Sequence, residues 1–88
     1  MVSKQLKVAN ELGFHARVAS RIVRELRKFE CSVIVHKEGK DYDLKNVTGV
    51  ITVNAKCGDI LDVEFTGPDE NETALAVEKL FENKFGER

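Results

Sequence analysis

The apolar positions of this chain repeat with two periods, one typical of strands and one typical of helices. Residues 2–9 alternate between polar and apolar side chains, which predicts a β-strand whose inner face carries Leu6 and Val8. From Ala16 to about Phe29 the apolar residues recur every three or four positions, which predicts an amphipathic helix with one buried stripe. Basic side chains of the same segment fall on a second stripe, so this helix should turn a basic edge to solvent.

Shorter elements are predicted in the middle of the chain. Residues 31–36 are rich in β-branched side chains and favour a strand. A turn at Glu38-Gly39 would allow residues 40–44 to return as its partner strand. Asn46 is a suitable N-cap for a short helix, although the β-branched residues that follow it weaken the helical signal.

The last third of the chain predicts one more strand and one more helix. Apolar and acidic residues alternate over residues 61–65, which is typical of a half-buried strand. Asp69 and Glu72 are spaced as in a capping box at the start of the final helix, and Gly86 is a plausible terminator. The buried stripe of this helix is expected to comprise Ala74, Val77, Leu80, Phe81 and Phe85.

The order of these elements, β-α-β-β-α-β-α, predicts a single α+β domain over residues 1–88. Helices with one apolar stripe and strands with alternating faces are typical of an antiparallel sheet that is covered by helices on one face. A chain of 88 residues is long enough for one hydrophobic core but too short for two.

Composition and charge narrow the classes of function. The net charge of −1 argues against a general nucleic-acid or membrane binder. Its distribution is uneven, since residues 15–28 carry a net charge of +4 and residues 59–88 carry −6, which suits the steering of an acidic partner to one face. Two cysteines and no apolar run of membrane-spanning or signal-peptide length lead us to expect a cytoplasmic protein with reduced thiols and no direct membrane insertion.

The segment 13–17, Gly-Phe-His-Ala-Arg, carries the candidate chemistry because it joins a loop at residues 10–13 to the start of a helix. The first helical turn leaves backbone N–H groups without intrahelical partners and binds anions, phosphate above all. Histidine side chains can act as nucleophiles and carry a phosphoryl group, so His15 is a candidate phosphoryl acceptor. Arg17 adds donors that match phosphate oxygens, and the backbone N–H groups of Ala16, Arg17 and Val18 are candidate phosphate ligands.

The whole chain resembles the HPr family of histidine-containing phosphocarrier proteins. The resemblance rests on residues 13–17, on Glu38-Gly39-Lys40, on Leu44-Lys45 leading into Gly49, on Gly58, and on Gly67 followed by Asp69-Glu70. It implies an open-faced β-sandwich with four antiparallel strands and three helices.

The resemblance also implies a function in the bacterial sugar phosphotransferase system. His15 would accept a phosphoryl group on Nδ1 from enzyme I, which draws it from phosphoenolpyruvate, and would pass it to a IIA component. Arg17 would stabilise the group as it arrives and leaves. Such a protein is a stoichiometric carrier with a phosphohistidine intermediate and has no turnover of its own.

Three positions depart from the pattern of the family. Val18 stands where the family usually has proline, and it adds a backbone N–H near the site. Asn46 stands where many Gram-positive members have a regulatory serine, so phosphorylation by a kinase at this position is not expected. Thr48 replaces a large apolar side chain of the docking surface. The candidate docking residues are Phe14, Arg24, Arg27, Val47, Thr48 and Ile51.

Two alternatives remain open at this point. A regulatory or nitrogen-branch paralogue of the same family would act mainly by protein binding. An RNA-binding module is a second interpretation of the element order, but the strands lack paired stacking aromatics.

We expect a monomer that needs no cofactor. We also expect no metal site, because His15, His36 and the cysteines lack the spacing of metal ligands.

Overall fold

The four strands form one antiparallel sheet, as the alternation predicts. In a computed structural model, which describes residues 1–87, the sheet order is β1-β4-β2-β3. The strands are β1 (Val2–Lys7), β2 (Ser32–Lys37), β3 (Lys40–Asp43) and β4 (Ile60–Thr66). The helices are α1 (Ala16–Leu26), α2 (Val47–Val53) and α3 (Glu70–Glu82), followed by a 3₁₀ turn at Lys84–Gly86. The predicted α+β open-faced sandwich is therefore confirmed.

The core lies between the sheet and the helices. Pairing of Leu6 with Leu61 and of Val35 with Val63 points alternate side chains of three strands toward the helices. The apolar stripe of α1 is buried as predicted, and Val18 in its first turn is buried with it. None of the helices in residues 1–87 combines the length and apolar character needed to cross a membrane.

Element ends differ from the sequence predictions where tertiary contacts decide them. The helix α1 ends at Leu26 and not at Phe29, and β1 ends at Lys7, although Val8 beyond it is still buried. The final helix ends at Glu82 and does not continue to Phe85, because Lys84 and Phe85 have left-handed backbone conformations, with φ of 54° and 56°. These conformations reverse the chain and allow Phe85 to enter the core.

The start of α3 differs from the predicted capping box. Asp69 is the N-cap residue, but its carboxylate makes no capping hydrogen bond. It accepts instead from the backbone N–H groups of Glu30 at 2.8 Å and Cys31 at 2.9 Å, just before β2. The side chain of Glu70, not that of Glu72, takes the N–H of Gly67 at 3.3 Å. The capping-box prediction was wrong because a tertiary partner outcompetes the local one for the Asp69 carboxylate.

The predicted short helix α2 is present, and Asn46 caps it. The side-chain oxygen of Asn46 accepts from the N–H groups of Thr48 at 2.8 Å and Gly49 at 3.3 Å, which supplies partners for two first-turn donors. A Cβ at Gly49 would lie only 2.3 Å from the carbonyl oxygen of Asp43. Glycine at this position therefore lets α2 approach the end of β3.

Acid should weaken the Asp69 contact in a defined direction. The hydrogen bond from Glu30, with that from Cys31, lowers the pKa of Asp69 below its usual 3.8. Because the folded state favours the carboxylate, the contribution is present above the unfolded pKa and is lost as the pH falls through the lowered folded pKa. We expect Asp69→Asn to be less stable than the unaltered protein in urea at pH 7, with the difference narrowing toward pH 3. The control Asp62→Asn should show little difference at either pH, and a difference for Asp69→Asn that is independent of pH would contradict this account.

Candidate active site

A short loop positions His15 at the start of α1. The N–H of Phe14 donates to the carbonyl of Ala55 at 2.9 Å, which ties the loop to the segment after α2. Gly13 has a φ of 65°, and a Cβ there would lie 2.3 Å from the same carbonyl oxygen. This backbone conformation and this close approach both require glycine. The loop therefore reaches His15 through a turn that few other sequences could form.

His15 is the N-cap residue of α1, but its side chain does not cap the helix. The carbonyl of His15 accepts the first intrahelical bond, from the N–H of Ala19 at 2.9 Å, and the imidazole makes no hydrogen bond to the helix backbone. An N-cap side chain ordinarily occupies one of these donors. Within residues 1–87, the N–H groups of Ala16, Arg17 and Val18 have no such partner, so the positive end of the helix is left open to an external anion.

The carboxylate of Glu87 joins the two side chains that the sequence singles out. Its Oε1 lies 2.5 Å from Nε2 of His15, and its Oε2 lies 2.6 Å from Nε of Arg17. Since a carboxylate only accepts, Nε2 carries the proton that it donates, and in the neutral imidazole Nδ1 is then the nitrogen with the free lone pair. The hydrogen bond from His15, together with the charge of Arg17, lowers the pKa of Glu87 below its usual 4.5.

A cleft of about 420 Å³ opens beside these groups. It is lined by Glu11, Leu12, Arg17, Arg21, Gly86 and Glu87. A Cβ at Gly86 would lie 2.5 Å from a guanidinium nitrogen of Arg21, so glycine there makes room for a second arginine. The cleft is thus polar, carries two guanidinium groups, and is bounded on one side by Gly86 and Glu87.

The remaining predicted site residues fall into two groups. Phe14 is only 5% exposed and packs edge-on against Phe81 and Phe85. Its assignment as a docking residue is therefore corrected, because an aromatic ring in the core offers almost no area to a partner. The other docking candidates, Arg24, Arg27, Val47, Thr48 and Ile51, are all exposed on α1 and α2, and these two helices contact each other. We call these five residues the α1–α2 surface.

The second histidine lies away from this site. His36 is on the sheet face opposite the helices, with Nδ1 2.5 Å from Asp41 and Nε2 3.4 Å from Glu64. The hydrogen bond that His36 donates to Asp41, followed by the weaker influence of Glu64, raises the pKa of His36. Both ring nitrogens face carboxylates, so His36 offers no free nucleophilic nitrogen, in contrast to His15.

Sequence reasoning missed three contributors to the site. Glu87 reaches the cleft because the chain reverses after α3, Arg21 lines it from α1, and Asn10 is buried in the loop that precedes His15. Spacing gave no signal for the Glu87 contact, which joins residues 72 positions apart. The position of Asn10, five residues before the candidate histidine in a loop, was the one available hint.

Comparisons with known proteins agree with this geometry. A family model described as the PTS HPr component phosphorylation site matches residues 2–83. The chain is 37% identical over 87 residues to the phosphocarrier protein HPr of Treponema pallidum (strain Nichols), covering 99% of each. It is 31% identical over 87 residues to the phosphocarrier protein NPr of Escherichia coli (strain K12), covering 98% of this chain and 97% of that protein. The structure of HPr from Thermoanaerobacter tengcongensis matches with a TM-score of 0.93 and 31% identity, covering 100% of this chain and 99% of that one.

The fold and these matches define the class of the molecule as a phosphocarrier domain of the phosphotransferase system. Within that class, the chain belongs to the HPr family.

The contact of Glu87 with Arg17 should be visible in solution. We expect the Nε–H signal of Arg17 to be separated from that of the exposed Arg24 in a ¹⁵N–¹H correlation spectrum, and to move toward it in Glu87→Ala. Because the pKa of Glu87 is lowered, the separation should persist as the pH falls past 4.5 and disappear only at lower pH. Glu82→Ala, which removes an exposed glutamate nearby in sequence, serves as the control. Coincident Arg17 and Arg24 signals in the unaltered protein would contradict the contact.

Proposed function

We propose that this protein carries phosphoryl groups on Nδ1 of His15 in the sugar phosphotransferase system, from enzyme I to a IIA component. One observation carries the proposal: within residues 1–87, Nδ1 of the N-cap histidine makes no hydrogen bond, the three helix N–H groups that follow it are unpartnered, and an arginine shares its Glu87 contact. Family membership supports the carrier role in general. The acceptor atom, the two partners and the cytoplasmic location are our assignment.

Neutral His15 is suited to be the nucleophile. The Nδ1 lone pair attacks phosphorus in line, and the bond between phosphorus and the donor atom breaks with its electron pair going to the donor. The Nε2 proton stays on the ring and faces the Glu87 carboxylate, which stabilises the positive charge that the ring acquires. No proton needs to leave the site during the forward step, and the reverse attack by the next acceptor regenerates neutral His15.

The new phosphoryl group would meet donors that are already in place. The N–H groups of Ala16, Arg17 and Val18 point from the first helical turn, and their positions need no rearrangement when charge arrives. Arg17 is paired with Glu87 through Nε, so its Nη groups keep donors for the phosphoryl oxygens while the carboxylate offsets part of its charge. This charge compensation keeps the stabilisation moderate, as a carrier that must release its group requires.

Partners would dock on the α1–α2 surface, whose basic and apolar side chains lie beside the site. The net positive charge of residues 15–28 suits acidic partners. All site groups come from one chain, so we propose that the protein acts as a monomer.

A second candidate is the regulatory or nitrogen-branch paralogue of the same family. The similarity to NPr of Escherichia coli favours it, as do Val18, Asn46 and Thr48. In both candidate functions His15 is phosphorylated. The two functions differ in the partner that receives the phosphoryl group or binds the protein. Transfer to a panel of sugar-specific IIA components, measured beside a nitrogen-branch IIA component, separates them.

Removal of His15 should abolish phosphorylation. After incubation with phosphoenolpyruvate and enzyme I, the intact mass of the unaltered protein should increase by one acid-labile phosphoryl group. His15→Ala should show no increase because the proposed acceptor nitrogen is gone, whereas the control His36→Ala should be modified like the unaltered protein. A mass increase that survives in His15→Ala would move the acceptor to another residue.

A charge in the α1–α2 surface should weaken docking without altering the chemistry. Ile51 is 45% exposed on α2, and Ile51→Asp places a carboxylate where an acidic partner would approach. We expect KM for phosphorylation by enzyme I to rise about tenfold with kcat little changed. Leu75→Asp, at a position 57% exposed on α3, is the matched control. Equal effects of the two substitutions would remove the α1–α2 surface as the docking site.

A further inference from the structure

Asn10 is a buried polar residue that no strand or helix accounts for. Within residues 1–87 the fully buried polar residues are Asn10 and Thr73. The hydroxyl of Thr73 donates to the Asp69 carbonyl one turn earlier in α3, which is an ordinary helical contact. Asn10 lies instead between β1 and the loop that carries the candidate histidine. Its burial there calls for a role in the loop itself.

The hydrogen bonds of Asn10 lead directly to the backbone of His15. Its Nδ2 donates to the carbonyl oxygen of Gly13 at 2.8 Å, and its own carbonyl accepts from the N–H of Gly13 at 3.3 Å. The same Gly13 carbonyl oxygen accepts the N–H of His15 at 3.1 Å. The Asn10 amide therefore holds the carbonyl that in turn holds the backbone of the histidine.

The side-chain oxygen of Asn10 indicates that this arrangement lowers the stability of the folded state. Its Oδ1 is buried and has no hydrogen-bond partner among the described residues, and a buried acceptor without a partner destabilises the folded state. Rotating the amide would not relieve the cost, because Oδ1 would then face the carbonyl oxygen of Gly13. A polar residue that breaks a folding rule beside a functional group is typical of a site-supporting role.

We propose that Asn10 is a positioning residue for phosphoryl transfer, acting on His15 through the Gly13 carbonyl. The inference rests on the proposed function of His15 and adds a second residue to it. Asn10 does not touch the reacting atoms. It fixes the backbone from which the His15 ring projects, at the start of α1 and with Nε2 on Glu87.

The test compares Asn10→Ala with Thr73→Val, which also removes a buried side-chain donor but lies away from the site. Phosphorylation is measured with enzyme I and phosphoenolpyruvate, and separately with phosphoramidate. This small donor gives its phosphoryl group to an imidazole nitrogen with loss of ammonia and needs no protein partner. The ¹⁵N shifts of the His15 backbone and ring are recorded without any donor. Asn10→Ser, which retains a small donor, is included in case Asn10→Ala does not fold.

We expect Asn10→Ala to be phosphorylated about tenfold more slowly by both donors, with altered His15 backbone and ring shifts and partial rescue in Asn10→Ser. Thr73→Val should be phosphorylated at the same rate as the unaltered protein, and its His15 shifts should be the same. Rates and His15 shifts that stay unaltered in Asn10→Ala, whatever its loss of stability, would overturn the inference.

The two donors separate this inference from the proposed function. If enzyme I does not phosphorylate the unaltered protein but phosphoramidate does, and Asn10→Ala remains slower, the carrier assignment fails and the positioning role stands. If neither donor reacts, the His15 shifts decide: a ring that is equally ordered in Asn10→Ala would overturn the role.

Discussion

The unpartnered N–H groups in the first turn of α1 are the constraint around which the rest of the site is arranged. Ordinarily an N-cap side chain satisfies such donors, and the helix gains stability of about 1 kcal/mol. Here the N-cap is His15, its imidazole makes no capping hydrogen bond, and no acidic residue lies in the first turn. The protein forgoes local stabilisation to keep an anion site open. The other features of the site can be understood as supporting these open N–H groups.

Glu87 supplies the acidic side chain that the first turn of α1 lacks. Glu87 reaches His15 and Arg17 because the backbone reverses at Lys84 and Phe85. Left-handed conformations at two residues other than glycine cost about 1–2 kcal/mol each. Phe85 is fully buried against Phe14 and Phe81, and burial of such a ring contributes about 3 kcal/mol. The aromatic cluster thus offsets the strain of the turn that brings a carboxylate to the site, and Phe14 ties the same cluster to the histidine loop.

Periodicity predicted the sheet and the helices because the spacing of apolar residues depends on local geometry alone. The Asn46 cap and the basic edge of α1 were predictable for the same reason. Asp69 was not, since its choice between a helix N–H and the N–H groups of Glu30 and Cys31 is decided by the packing of α3 on β2. The burial of Phe14 and the contact of Glu87 likewise depend on where distant segments meet. The position of residues 13–17 at a helix start, and then the family resemblance, indicated His15 and Arg17 as candidates, but the groups that contact them became visible only in three dimensions.

Val18 changes the number of backbone N–H donors at this site. A proline at this position would remove one N–H from the anion site, whereas Val18 retains it and buries its side chain in the core. If His15 carries a phosphoryl group as we propose, the additional donor would strengthen the hold on it, which favours acceptance and slows release. Glu87 would act in the opposite direction, because its carboxylate offsets part of the charge of Arg17. A carrier needs these two effects to be of similar size, so we interpret the extra backbone donor and the carboxylate as a compensating pair.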